Sequence, residues 1–195
     1  MNDEHTWTKN EWCHLDRKRI IWPWESYRFL SKLKFSPWRS YLYYRKWHLL
    51  RKSEPLKSFS EVSFQGQHLA GINPSKELPL HKLYYEKSEE IQAVIHVHSF
   101  YATIFSFLDH PDKTDIVPDY TPYLKMKVGT IGLVPYAKPG SNELFGYFEK
   151  AAPFSDAFIL AHHGPVVGGT SLMETFFGLE ELEESCKIAW TFQHT

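Results

Sequence analysis

The alternation of apolar and polar positions becomes regular from residue 59 onward and predicts a succession of short strands and helices. FSEVSFQGQHLAG alternates and stops at glycines, which is typical of a strand or hairpin. NPSKELPLHKLYYEKSEE carries apolar residues at helical spacing behind Ser75, a candidate N-cap. AVIHVHS predicts a strand, and SFYATIFSFLDH predicts a helix that packs back on the sheet.

The C-terminal half continues this mixture. LKMKVGTIGLVPYAKPG predicts one or two strands, and SNELFGYFEKAAPF predicts a helix capped by Ser141. DAFILAHHGPVVGG predicts an apolar strand that runs into a glycine-rich turn, and SLMETFFGLEELEESCKIAW predicts an amphipathic helix. Because strands and helices intermingle, we expect an α/β or α+β fold whose sheet is covered by helices on both sides.

Residues 1–58 differ in composition from the rest of the chain. They hold 13 of the 22 Lys and Arg residues but only 6 of the 23 Asp and Glu residues, and all 10 glycines lie at or after Gly66. An irregular or poorly packed segment is the simpler interpretation, because tight turns and helix C-caps depend on glycine. Basic residues interleaved with aromatics also occur in single-stranded nucleic-acid binders, which is the alternative. We therefore predict an atypical basic and aromatic segment over residues 1–58, followed by one folded domain over residues 59–195.

Overall composition narrows the class of protein. The chain has 195 residues, of which 43% are hydrophobic and 23% charged. This length and composition are typical of one globular domain. The net charge of −1 gives no overall attraction to nucleic acids or membranes, so neither is an expected partner. Cys13 and Cys186 are the only cysteines, so a disulfide framework is not expected. No apolar run approaches the roughly 18 residues of a membrane-spanning helix, and the first residues, MNDEH, do not resemble a secretory signal. These features predict a cytoplasmic protein.

Histidines at two strand-like positions are the candidate chemistry. His96 and His98 stand two residues apart in AVIHVHS, so a strand would project both from one face, where they could grip one metal ion or be hydrogen-bonded structural residues. A second apolar strand ends in His162 and His163, directly before Gly164. If three histidines converge, they match the three protein ligands of a catalytic zinc site with one open position.

Glu77 in NPSKEL is a candidate fourth member of this group. A carboxylate at the start of a helix can simply favour the helix dipole. It can equally act as an acid/base or as a displaceable metal ligand beside a dication. The residue pattern alone leaves both interpretations open.

Together, PSKE, AVIHVHS, TPYLKMKVGTIGLVPYAKPGS, ILAHHGPVVGG and LEELEES resemble the class II aldolase/adducin family, with all matches inside residues 60–188. The resemblance implies a single-domain, three-layer α/β/α fold with a central mixed, largely antiparallel sheet, and a homotetramer with sites near subunit interfaces. It implies one Zn²⁺ per subunit, held by His96, His98 and by His163 rather than His162. It also implies that Glu77 is the acid/base and a ligand of the resting metal.

Within the family, the combination of TPY, VPY, PG, HHGPVV and EELEE most resembles enzymes that decarboxylate 3-oxo-tetronate 4-phosphate. The resemblance therefore implies a zinc-dependent carbon–carbon lyase that removes CO₂ from a small phosphorylated keto-sugar acid through a metal-stabilised enediolate. The alternative is a catalytically impaired or non-catalytic adducin-like interaction domain that retains the metal site. No glycine lies where the family places its phosphate-binding segment, and the final helix ends early, so we expect a domain incomplete at both ends without an assigned phosphate site.

Overall fold

The computed structural model describes residues 40–44 and 59–195. Apart from residues 40–44, the segment covered by the predictions for residues 1–58, including the nucleic-acid alternative, lies outside the described residues. The strands are β1 (Ser40–Tyr44), β2 (Phe59–Ser63), β3 (His68–Gly71), β4 (Ala93–His96), β5 (Ile131–Val134), β6 (Ala157–Leu160) and β7 (Gly164–Gly169). The helices are α1 (Leu78–Glu86), α2 (Phe100–Phe105), α3 (Tyr123–Lys127), α4 (Asn142–Ala151) and α5 (Leu172–Gln193).

The strands form two sheets. β1, β2 and β3 make an antiparallel sheet in that order, so the predicted hairpin over FSEVSFQGQHLAG is confirmed. The central sheet has the order β4-β7-β6-β5. Its β5–β6 pair is parallel, whereas β7 runs antiparallel to both β4 and β6, so the predicted mixed and largely antiparallel sheet is confirmed.

Helices cover both faces of the central sheet because side chains alternate along each strand. On one face, Ile95 and Ile159 pack into a core with Phe105 of α2 and Leu182 of α5. On the other face, the core contains residues from β4, β6 and β7 together with α1 and α4; its large members include Val94, Tyr84, Phe148, Phe158 and Val166. The predicted three-layer α/β/α arrangement is therefore confirmed.

One predicted element was confirmed and another was wrong. LKMKVGTIGLVPYAKPG contains one strand, β5, as predicted, and its first residues form the short helix α3, whose Leu124 enters the core. GPVVGG is strand β7 rather than a glycine-rich turn. Its glycines allow close packing, since a Cβ at Gly168 would lie 2.4 Å from the Tyr84 ring and one at Gly169 would lie 2.7 Å from Thr175.

One of the two predicted helix-capping residues is confirmed. Ser141 accepts a hydrogen bond from the Leu144 N–H at the start of α4, as predicted. Helix α1, however, begins at Leu78 with Glu77 in the N-cap position. The Ser75 hydroxyl, two residues before Glu77, accepts the Glu77 N–H. Within the described ranges, no helix combines the length and hydrophobicity that a bilayer span requires.

Candidate metal centre

The end of β4 presents two histidines to the face covered by α1. His96 is fully buried, and its Nδ1 lies 2.8 Å from the Pro165 carbonyl oxygen of β7. A carbonyl only accepts hydrogen bonds, so Nδ1 donates and the Nε2 lone pair is left to face the site. His98 follows two residues later in an exposed position, and the two ring centroids are 5.2 Å apart.

The turn between β6 and β7 brings a third histidine to this pair. Gly164 (φ 149°) follows the turn and lies against β4, where a Cβ would stand 2.1 Å from the Val97 carbonyl oxygen. Only glycine can occupy such a contact, so this residue type allows the turn to lie directly beside His98. His163 then places its Nε2 atom 3.0 Å from that of His98.

His162 takes the opposite direction from its neighbour. Its backbone lies in the left-handed region (φ 59°), and its side chain is exposed. The imidazole packs against the rings of Phe107 and Tyr136, with centroid distances of 4.8 and 5.4 Å. The structure therefore brings His163, and not His162, to the other two histidines.

Glu77 reaches the same point from the N-terminus of α1. Glu77 is buried, with 6% of its surface exposed. Oε1 lies 3.3 Å from His163 Nε2, and Oε2 lies 3.9 Å from His96 Nε2. Gly140 packs closely against the loop that precedes Glu77, because a Cβ on Gly140 would come within 2.9 Å of the Lys76 Cβ. All four predicted side chains thus meet, although they come from three separate parts of the chain.

The spacing of these atoms fits a divalent metal ion. One ligand nitrogen from each of His96, His98 and His163 lies within 4.8 Å of the others. The Nε2 atoms of His163 and His96 are 3.4 Å apart. Tetrahedral zinc with Zn–N bonds of about 2.0–2.1 Å separates two ligand nitrogens by about 3.3–3.4 Å. Burial closes the cluster on the His96 side and leaves it open to solvent on the His98 side, which is the arrangement that admits a substrate.

Sequence reasoning missed the Pro165 carbonyl that orients His96. A backbone acceptor carries no residue-type signal, so only the pairing of β4 with β7 reveals it. It also missed the role of the LEELEES stretch, which is described below.

Residues 47–190 match the family described as "Class II Aldolase and Adducin N-terminal domain". The chain belongs to the class II aldolase/adducin family. A 3-oxo-tetronate 4-phosphate decarboxylase of Escherichia coli O6:H1 is 40% identical over 129 residues, covering 66% of this chain. One of Haemophilus influenzae is 38% identical over 138 residues, covering 71% of this chain.

The chain matches only part of these relatives' length. The matched region spans 61% of the Escherichia coli protein and 66% of the Haemophilus influenzae protein. Among solved structures, YgbL of Klebsiella pneumoniae superposes with a TM-score of 0.75 at 35% identity, covering 82% of this chain and 77% of that one. The fold predicted from the sequence is therefore shared with this solved structure.

Proposed function

We propose that this protein is a zinc-dependent carbon–carbon lyase that decarboxylates a small phosphorylated keto-sugar acid of the 3-oxo-tetronate 4-phosphate type. The observation that carries the proposal is the convergence of His96, His98 and His163 with the Glu77 carboxylate at metal-ligand spacing. Relatives named as 3-oxo-tetronate 4-phosphate decarboxylases support the choice of substrate and reaction.

The roles of the four side chains follow from their chemistry. The three imidazoles would hold one Zn²⁺ per subunit, with Glu77 as a further ligand that a substrate can displace. When bound, the ion supplies Lewis-acid stabilisation of negative charge on the substrate oxygens. The hydrogen bond from His96 to the Pro165 carbonyl orients the ring and fixes the tautomer of the neutral imidazole in which the Nε2 lone pair faces the cluster.

Glu77 is the proton donor in this proposal. When CO₂ leaves, the carbon–carbon bond breaks, and its electron pair stays on the substrate. That carbon must then gain a proton, and the Glu77 carboxyl lies within the cluster, with Oε1 3.3 Å from His163 Nε2. Because a carboxylate that ligates a metal carries no proton, Glu77 would take up this proton from solvent on the open, His98 side after the substrate displaces it, and would then donate it to that carbon.

We further propose that residues 59–195 form the class II aldolase/adducin-like domain and that residues 1–58 form a separate N-terminal segment. We also propose that the protein is a homotetramer and that it is located in the cytoplasm. The substrate phosphate site is left unassigned.

A decarboxylation assay tests the proposal. Metal-depleted protein is reloaded with zinc and mixed with 3-oxo-tetronate 4-phosphate, and released CO₂ is measured against the metal-depleted sample. We expect CO₂ release that depends on zinc. A zinc-loaded protein without turnover would contradict the proposal and favour the adducin-like alternative.

A further inference from the structure

The carboxylate of Glu183, within LEELEES on α5, reaches the start of α2. It accepts hydrogen bonds from the Ser99 hydroxyl at 2.6 Å, the Tyr101 N–H at 2.7 Å and the Ala102 N–H at 3.0 Å. The first N–H groups of a helix have no partner inside the helix, and an anion there also meets the favourable end of the helix dipole. Glu183 therefore caps α2 in place of the Ser99 side chain, which makes no cap of its own.

The neighbouring acids of the same motif point elsewhere. Glu181 pairs with Lys127 at 2.9 Å, and Glu184 is exposed and lies 3.3 Å from Lys187. Glu183 is half-buried between α5 and α2. Glu183 thus bonds to α2, whereas the adjacent Glu184 is exposed and provides a matched control on the same helix.

Helix α2 contacts both segments that carry the clustered histidines. Its N-cap, Ser99, directly follows His98 in the chain. The Thr103 hydroxyl, one turn along, donates mainly to the Ser99 carbonyl and also lies 3.4 Å from the His163 carbonyl oxygen. At the other end, the Ser106 hydroxyl accepts the His162 N–H at 3.0 Å. Helix α2 therefore joins the end of β4 to the β6–β7 turn.

We propose that Glu183 is a positioning residue for the metal centre: by capping α2, it sets the placement of His98 relative to His163. The proposal rests on the proposed function for its metal-binding consequence. Without the carboxylate, the Tyr101 and Ala102 N–H groups lose a charged acceptor, and the start of α2 is free to shift away from α5. His98 moves with it, because only Ser99 separates it from the helix.

Metal titration of purified, metal-depleted full-length protein tests this inference, with Co²⁺ as a spectroscopic probe and Zn²⁺ in competition. For Glu183→Ala, we expect about 10- to 100-fold weaker metal binding, the range for loss of an outer-shell partner, and altered Co²⁺ absorption bands. Glu183→Gln keeps one acceptor oxygen of similar reach and should restore part of the affinity. Glu184→Ala should bind as the unsubstituted protein does.

A second measurement does not depend on metal. Imidazole ¹H–¹⁵N correlation spectra of metal-depleted protein should show shifted His98 and His163 signals in Glu183→Ala and unchanged signals in Glu184→Ala. Unaltered imidazole signals and metal affinity, with a lower unfolding temperature, would make Glu183 a structural cap only and overturn the inference. If the unsubstituted protein binds no metal, the proposed function fails. In that case the imidazole spectra alone decide whether Glu183 positions the histidines.

Discussion

Gly164 and Val97 lie closer together than any other residue type at position 164 would allow. A Cβ on Gly164 would stand 2.1 Å from the Val97 carbonyl oxygen, and the glycine backbone has φ 149°. This contact joins the β6–β7 turn to the end of β4. Because His163 precedes Gly164 and His98 follows Val97, the same contact sets the distance between two of the clustered histidines.

Gly164→Ala should therefore disrupt both the fold and the site. We expect a loss of about 2–4 kcal/mol in the free energy of unfolding, from the steric clash and the backbone strain. Metal affinity should fall as well, because relief of the clash separates the turn from β4. Denaturant unfolding and metal titration measure the two effects.

Gly146→Ala provides the control for this substitution. Gly146 lies inside α4, and a Cβ there meets nothing within 4 Å. Alanine in a helix interior is favoured over glycine by about 0.5–1 kcal/mol, so this variant should be stabilised. Equal effects of the two substitutions would contradict the close contact at Gly164.

His163→Ala and His162→Ala should differ sharply in metal binding. His163 has its Nε2 within 3.4 Å of those of both other histidines, whereas His162 is exposed and packs on Phe107. Loss of a direct ligand should weaken binding by more than the roughly 100-fold that an outer-shell change costs. Isothermal titration of metal-depleted protein with zinc measures the affinity. Retained tight binding in His163→Ala would exclude this histidine as a ligand.

Glu77→Gln should separate proton transfer from metal binding. The amide keeps the shape of the side chain but exchanges no proton, so we expect a rate of CO₂ release lower by about 10²–10⁴-fold. The three histidines remain, so the zinc content after dialysis should stay near one equivalent per subunit, as the proposal states. An unchanged rate would show that another group supplies the proton.

The buried thiol of Cys186 should make the free energy of unfolding decrease as the pH rises above 9. Burial, with a smaller contribution from the nearby Glu183 charge, raises the pKa of Cys186 well above its ordinary value of 9.0. Above pH 9 the unfolded chain loses this proton while the folded chain keeps it, so the contribution of Cys186 to stability falls as pH rises.

Cys186→Ala removes this titration. The packing that the variant loses does not depend on pH, so its cost is measured at pH 7 and subtracted. Between pH 9 and the raised pKa of the folded protein, the free energy of unfolding of the variant should then rise relative to that of the unsubstituted protein by up to about 1.4 kcal/mol per pH unit. Denaturant unfolding over this range measures the difference. A constant difference between the two proteins would show that the thiol titrates normally in the folded state.

Much of the fold could be predicted because it depends on local patterns. Alternation over FSEVSFQGQHLAG predicted a strand or hairpin, which is the β2–β3 hairpin, and Ser141 marked the start of α4. The error came at GPVVGG, because its glycines are typical of turns until their packing against α1 and α5 is known.

The sequence by itself determined that His96 and His98 share a face, because side chains alternate along an extended chain whatever surrounds it. It also supplied the residue types of the candidate metal centre. The family resemblance implied His163 rather than His162 and added Glu77, but the residue pattern alone left both choices open. Only the tertiary structure shows that His163 and Glu77 meet the other two histidines and that Glu183 caps α2. Those relationships depend on how strands and helices distant in the chain pack together, and local periodicity does not encode such packing.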